Sequence, residues 1–361
     1  QFDEDVDVVR SPIPGDTNDT IYWSGQSFPK MGRSSDVIGG SVFPNAGYRL
    51  GIPAPTAAPT VAVGGGTTLN ITITTTNESS TITVTTASAH GASVDDYITI
   101  ANVTGTIGGI AASDINGTFR IRTVPSDTTV TVILSAAATS GVTSSSISNG
   151  ASFGENSDAE LDYDTSFVYT FVSAYGEEGP PSPASAVITT DDNMSVNLSS
   201  LETSTSITNT NLSKKRIYRS NTGSNTTEFQ FVAELALSAT SYTDTSKNSE
   251  LAEVIPSSDW IAPPDDNTSL YPDGPMKGLL ALGNGTFAGF TGNRICFSEA
   301  YQPHAWPANY RIGIEEKIVG MKATSNGLIV TTEGPPYLVT GTDPSAMVAI
   351  KIETAEAGLS K

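Results

Sequence analysis

The chain has 361 residues, 37% of them apolar, which is enough for several small cores in two or three domains but not for one large helical core. Its 18 basic residues stand against 38 acidic ones, a formal charge of −20, which opposes tight binding to nucleic-acid phosphates and favours solubility. The single cysteine, Cys296, excludes an internal disulfide framework; no Cys/His cluster has zinc spacing, and no apolar run has the length of a membrane-spanning helix.

Thr and Ser crowd the sequence, alongside 33 Gly and 21 Pro, and good helix formers never hold a 3.6-residue period for long. The expected fold is therefore all-β and multidomain, with small β-sandwich or barrel domains plus propeller-blade-like strands.

Residues 1–58 read as an extended N-terminal arm or linker. Pro53, Pro55 and Pro59 recur too densely for continuous ladder pairing. Tyr22, Trp23, Phe28, Phe43 and Tyr48 mean that the arm lies against something, because a disordered tail seldom carries so many aromatics.

Residues 59–155 read as an inserted β domain. "LNITITTT" and "STITVTT" alternate apolar and polar residues around Asn77-Glu78-Ser79, a hairpin signal. "DDYITIANV", "GTFRIRTV" and "TTVTVIL" add strands, Asn116-Gly117 is expected to turn with positive φ, and "ATSGVTSSSISNGASFG" is expected to be a linker.

Residues 156–256 read as a sandwich. A strong strand covers Phe167 to Tyr175, the chain turns at Gly176 and breaks at "GPPSP", and further strands follow about every ten residues. The aromatic strand with "YGEEGPPSP", then "RIYRS" and "FVAEL", resembles a fibronectin type III module, which implies a spacer or docking unit.

Residues 257–361 change character. "GLLALGNGTFAGFTGNRICFSEA" predicts short strands joined by Asn-Gly and Gly-Asn turns, and "KIVGMKATSNGLIVTTEGPPYLVTGTDPSAMVAIKI" predicts four more. Small-residue punctuation every eight to ten positions is the pattern of propeller blades.

"CFSEAYQPHAWP" is the one stretch where reactive residue types gather. A Cys296–His304 pair beside Glu299 would be a nucleophile and base, but no spacing rule supports it. Alternation places Cys296 on the strand face opposite Ile295 and Phe297, as a small buried hydrophobe. Tyr301, Pro303, His304, Trp306 and Pro307 are expected to form a structural corner, with the prolines fixing the backbone and Trp306 burying a large area. His90, beside Gly91, reads as an exposed turn residue.

The carboxylate doublets Asp95-Asp96, Glu177-Glu178, Asp191-Asp192, Asp265-Asp266 and Glu315-Glu316 are poor glycosidase pairs, since neighbours in a strand point to opposite faces. Asp3, Asp5 and Asp7 lack the Gly and distal Glu of a calcium loop. No catalytic set, metal site or cofactor is expected.

From about Met276, "GTFAGFTGNRICFSEAYQPHAWP" and "LIVTTEGPPYLVTG" resemble the nozzle (tail tubular protein B-like) family of short-tailed bacteriophages. "FVYTFVSAYGEEGPPSPAS" and "YRLGIPAPTAAP" fit the same family, whereas residues 59–155 look like an addition to it. The resemblance implies a virion tail protein, not an enzyme. It implies a ring, usually of six copies, that contacts tail adaptor and tail fibre proteins and lets genomic DNA pass during ejection without holding it or inserting into a membrane. The alternative is a β-sandwich adhesin or fibre-like protein that binds the host surface.

Overall fold

The computed structural model describes residues 5–38, 47–64, 68–154, 163–190, 195–222, 227–353 and 357. Asp3, Phe43 and the Asp191-Asp192 doublet lie outside these residues. The fold is all-β and built from several small antiparallel sheets, as composition predicts. The described helices are no longer than the five residues of Ser34–Ile38.

The reading of residues 1–58 as an extended arm needs correction. Asp7–Arg10, Ile21–Ser24, Lys30–Gly32 and Tyr48–Arg49 pair in that order as a four-stranded antiparallel sheet. Tyr22 and Met31 from this sheet, with Leu50 just after it, join Met276, Leu279, Phe287, Cys296 and Trp306 in one core. Strands this short cannot bury enough surface alone, so the sheet persists by packing on residues far along the chain.

That distant partner is the first of two more four-stranded meanders. Lys277–Ala281, Phe287–Thr291, Arg294–Phe297 and Arg311–Gly313 form one; Ile318–Thr324, Gly327–Thr332, Tyr337–Thr340 and Val348–Lys351 form the other. The first is buried on both faces. Phe287 and Cys296 face the N-terminal sheet, whereas Ala288, Phe290, Ile295 and Phe297 face Leu328, Val330, Tyr337 and Val339 of the last sheet. Cys296 thus lies opposite Ile295 and Phe297, as strand alternation requires. Asp7–Arg10 runs beside Lys277–Ala281, which in turn runs beside Ile318–Thr324. The first strands of three consecutive four-stranded sheets therefore lie together, which is how propeller blades pack.

Between the first two blades sit two further units. A seven-stranded sheet has the order 117–120, 97–100, 147–154, 69–75, 81–86, 129–133, 123–126. Ile71, Ile73, Ile82, Val84, Ile98, Ile100, Val130 and Val132 fill its core, while Thr residues alternate outward. Two expectations fail here. Ile147–Gly154, read as linker, is a central strand paired with both Tyr97–Ile100 and Leu69–Thr75. Of the Asn116-Gly117 pair only Gly117 has positive φ, at 158°: Asn116, at φ −70°, closes a one-turn helix, and its side chain bonds both backbone groups of Val103.

The second unit is a sandwich of two three-stranded sheets. Phe167–Ser173, Leu212–Thr222 and Thr227–Ala236 form one; Tyr242–Asp244, Ser195–Ser199 and Thr60–Gly64 form the other. Residues 60–64 therefore belong with this sandwich, and the inserted sheet begins at Leu69 rather than at residue 59. Phe167, Tyr169, Phe171, Val196, Leu198 and Ile217 fill the space between the sheets.

The "GPPSP" run does not simply break the strand; it lies along its edge. The amides of Gly179, Ser182 and Ser185 donate to the carbonyls of Phe171, Tyr169 and Phe167. Ser182 Oγ and Ser185 Oγ accept from the amides of Tyr169 and Phe167 in return. Prolines have no N–H, so the interspersed serines complete the edge that a ladder would otherwise supply.

Candidate functional site

The corner after the Arg294–Phe297 strand is where the N-terminal sheet, the sandwich and the blades meet. Its backbone is bound locally: the Glu299 amide donates to Ala305, Ala305 to Gln302, and Tyr301 to Gly285. Tyr301 sits in the left-handed region at φ 58°, which costs a non-glycine residue energy, and its ring covers Gly285. A Cβ on Gly285 would lie 2.5 Å from that ring, so glycine is required there.

Pro303, His304, Trp306 and Pro307 are buried, and Tyr301 is exposed. Trp306 has no exposed surface; its indole Nε1 donates to the Pro303 carbonyl at 2.8 Å and its amide to Ile261 at 2.8 Å. The polar atom of the ring is thereby satisfied while the rest packs in the core shared with Tyr22 and Phe287. The predicted corner residues thus come together, with Tyr301 on the outer rim.

His304 turns toward the sandwich. Its Nδ1 lies 3.9 Å from Glu177 Oε1, and Trp260 stands edge-on to its ring at 5.5 Å. Nε2 is buried and has no hydrogen-bond partner among the described residues. Burial lowers the imidazole pKa to about 4, against a hydrogen bond with the Glu178 backbone that raises it. Glu177 shifts the opposite way: burial lifts its carboxyl to about 7, although Ser173 Oγ, 3.1 Å away, donates to it and pulls it down.

The adjacent Glu178 faces away, onto the face of the Phe167–Ser173 sheet turned from the sandwich core. It accepts from Thr170 at 2.7 Å and Tyr218 at 2.6 Å and pairs with Arg216 at 2.8 Å. The doublet therefore serves two networks on opposite sides of the strand end. Asp265 and Asp266 behave differently: both meet Arg49 at 3.0 Å from a loop, and Arg49 stacks on Phe28. Glu315 and Glu316 likewise share Lys351.

A thiolate–imidazolium pair needs a depressed thiol pKa and a raised imidazole pKa. Here burial pushes the Cys296 thiol up to about 11 and the His304 imidazole down. Glu299 is occupied by the Tyr310 hydroxyl at 2.9 Å. No group of three or more potential metal ligands occurs among the described residues. An open cleft of about 700 Å3 lies elsewhere, between the N-terminal sheet and the blades, lined by Asp7, Gln26, Lys277 and Phe290.

His90 departs from its sequence reading. It is half-buried, stacks on Phe153 at 4.9 Å, and its Nδ1 accepts from the Ala92 amide. The sequence did not point to Glu177, Trp260 or Tyr22 as partners of the corner. The available signal was a lone histidine in a rigid apolar run, which implies burial and therefore a partner, without saying where in the chain that partner lies.

No family model matches the chain. No curated protein matches it. Among solved structures, a phage phi92 endosialidase aligns with 97% of this chain and 46% of its own, at 12% identity and a TM-score of 0.19. This chain spans less than half of that one, and a likeness of that size carries no inference.

Proposed function

We propose that the chain is a structural subunit of a short-tailed bacteriophage tail, of the nozzle kind. It works by shape and stacking in a ring of its own copies, through which genomic DNA leaves the capsid. One observation carries this reading: the "CFSEAYQPHAWP" phrase, on which the family resemblance chiefly rests, is spent on rigidity. Trp306 and its flanking prolines are buried where sandwich, N-terminal sheet and blades meet. A wall that must keep its bore open needs such a joint more than it needs a reactive cleft. The acid excess supports the same reading, because a surface at −20 repels phosphate and lets DNA slide past. Tail adaptor and tail fibre proteins would bind the outer surfaces, and the seven-stranded sheet is the unit free to decorate the ring.

A ring of identical subunits uses a heterologous interface that closes on itself. Native mass spectrometry of the purified protein, with electron cryomicroscopy of the particle, tests the proposal. A closed oligomer located at the tail end is expected. A protein that stays monomeric at every concentration, or density that places the chain outside the tail, would defeat it.

A further inference from the structure

We propose that Glu177 and His304 act as one proton-holding unit, which keeps the docking of the sandwich on the blades indifferent to pH. Breaking either half would turn this junction into a pH switch, with opposite signs for the two halves.

The geometry supplies the premise. Glu177 comes from the sandwich, in the turn after the Phe167–Ser173 strand; His304 comes from the corner that follows the Arg294–Phe297 strand; their polar atoms are 3.9 Å apart in the junction. The second nitrogen of His304 is buried and without a partner among the described residues, so beyond the Glu178 backbone a charge on the imidazole would have the Glu177 carboxylate to balance it. The other groups facing the pair do not take its place. Tyr22, on the N-terminal sheet, stays neutral: burial, then Glu177 and Asp16, raise its hydroxyl pKa. Trp260 carries no charge, and Glu178 points its carboxylate at Arg216 and Tyr218.

Proton counting gives the consequence. An open junction would return both groups to ordinary water values, near 4.5 for Glu and 6.5 for His. Between these values the open state holds one proton, on the imidazole. The closed state, with Glu177 near 7 and His304 near 4, also holds one, on the carboxyl. Closing therefore moves a proton from imidazolium to carboxylate and exchanges none with solvent, so the equilibrium has no pH slope in this window. Alone, the raised Glu177 would weaken the closed state as pH rises, and the lowered His304 would weaken it as pH falls. Together they offset each other.

The test is hydrogen exchange of peptides covering residues 172–180 and 298–308 from about pH 4.5 to 6.5, corrected for the intrinsic rate. In the unaltered protein, protection should vary by less than about threefold. Glu177→Gln leaves only the histidine linkage, and protection should fall by roughly fortyfold toward the acid end. His304→Gln leaves only the carboxylate linkage, and protection should fall by about as much toward the neutral end. Flat profiles in both variants, or slopes of the same sign, would overturn the proposal. Imidazole NMR of the unaltered chain needs no variant, because only His90 and His304 can contribute. His304 must stay uncharged down to about pH 5; titration near its ordinary value would be equally fatal.

Discussion

Trp306 shows how much one side chain contributes at this corner. It is fully buried, hydrogen-bonded at Nε1, and packed against residues from the N-terminal sheet and from the sheet of residues 277–313. Trp306→Ala should destabilise by about 3–5 kcal/mol, from lost transfer energy plus the cavity left behind. Scanning calorimetry checks this, and an unchanged melting temperature would mean the ring is not buried as described. Tyr301→Ala is the contrasting case. The side chain is 47% exposed, and the residue sits at φ 58°, where alanine is no easier to hold. It should cost about 1 kcal/mol or less. A third residue-scale case lies inside the sandwich. Arg219 donates to Asp244 at 2.7 Å and to the Ser246 carbonyl at 2.8 Å, with both charged side chains nearly inaccessible. Asp244→Ala strands a buried guanidinium, so a loss of about 3–5 kcal/mol is expected. Salt should barely change that loss in denaturant titrations, because buried pairs are poorly screened. A loss that vanishes in high salt would indicate a solvent-exposed pair instead.

Among the elements, the Ile147–Gly154 strand departs furthest from its sequence reading and gives the sharpest test. It sits in the middle of the seven-stranded sheet, with Ala151 only 1% exposed and Gly150 so close to Ile71 that a Cβ would approach it to 2.6 Å. Ala151→Asp would place an unpaired charge in that core and should unfold the inserted sheet while leaving the blades intact. Limited proteolysis should then release fragments cut within residues 69–154; cleavage spread evenly over the chain would refute the sheet's independence. Periodicity could not have found this strand, because Ser, Gly and Asn fill the run that pairs with two apolar strands. By contrast, Leu69–Thr75, Thr81–Thr86 and Thr129–Ile133 were legible, since each buries one face and alternates cleanly. The N-terminal sheet was hidden for a different reason. Its strands run two to four residues, too short for any period, and their partner Lys277–Ala281 lies at the other end of the sequence. The corner itself was readable from Trp306 and its prolines, whose effects are local. Glu177 and Trp260 reach it only through the fold, and a window along the chain carries no trace of them.

The whole molecule adds a constraint that single residues and elements do not set. Its charge is −20, so if the proposed ring holds six copies it carries 6 × −20 = −120 in all. Such a field raises the free energy of any phosphate chain inside it, and salt weakens that repulsion over a Debye length of about 10 Å at 0.1 M. A basic DNA-binding protein behaves in the opposite way: it releases counterions on binding and loses affinity as salt rises, with a slope near −0.9 per phosphate contacted. The two cases separate cleanly in one titration. Duplex DNA mixed with the assembled protein should show no retention at low ionic strength, and added monovalent salt should not change this. Retention at low salt that disappears as salt rises would reveal a basic track facing the duplex. The acid excess would then serve only the outer surface, and the proposed passage of DNA would have to rest on something other than repulsion.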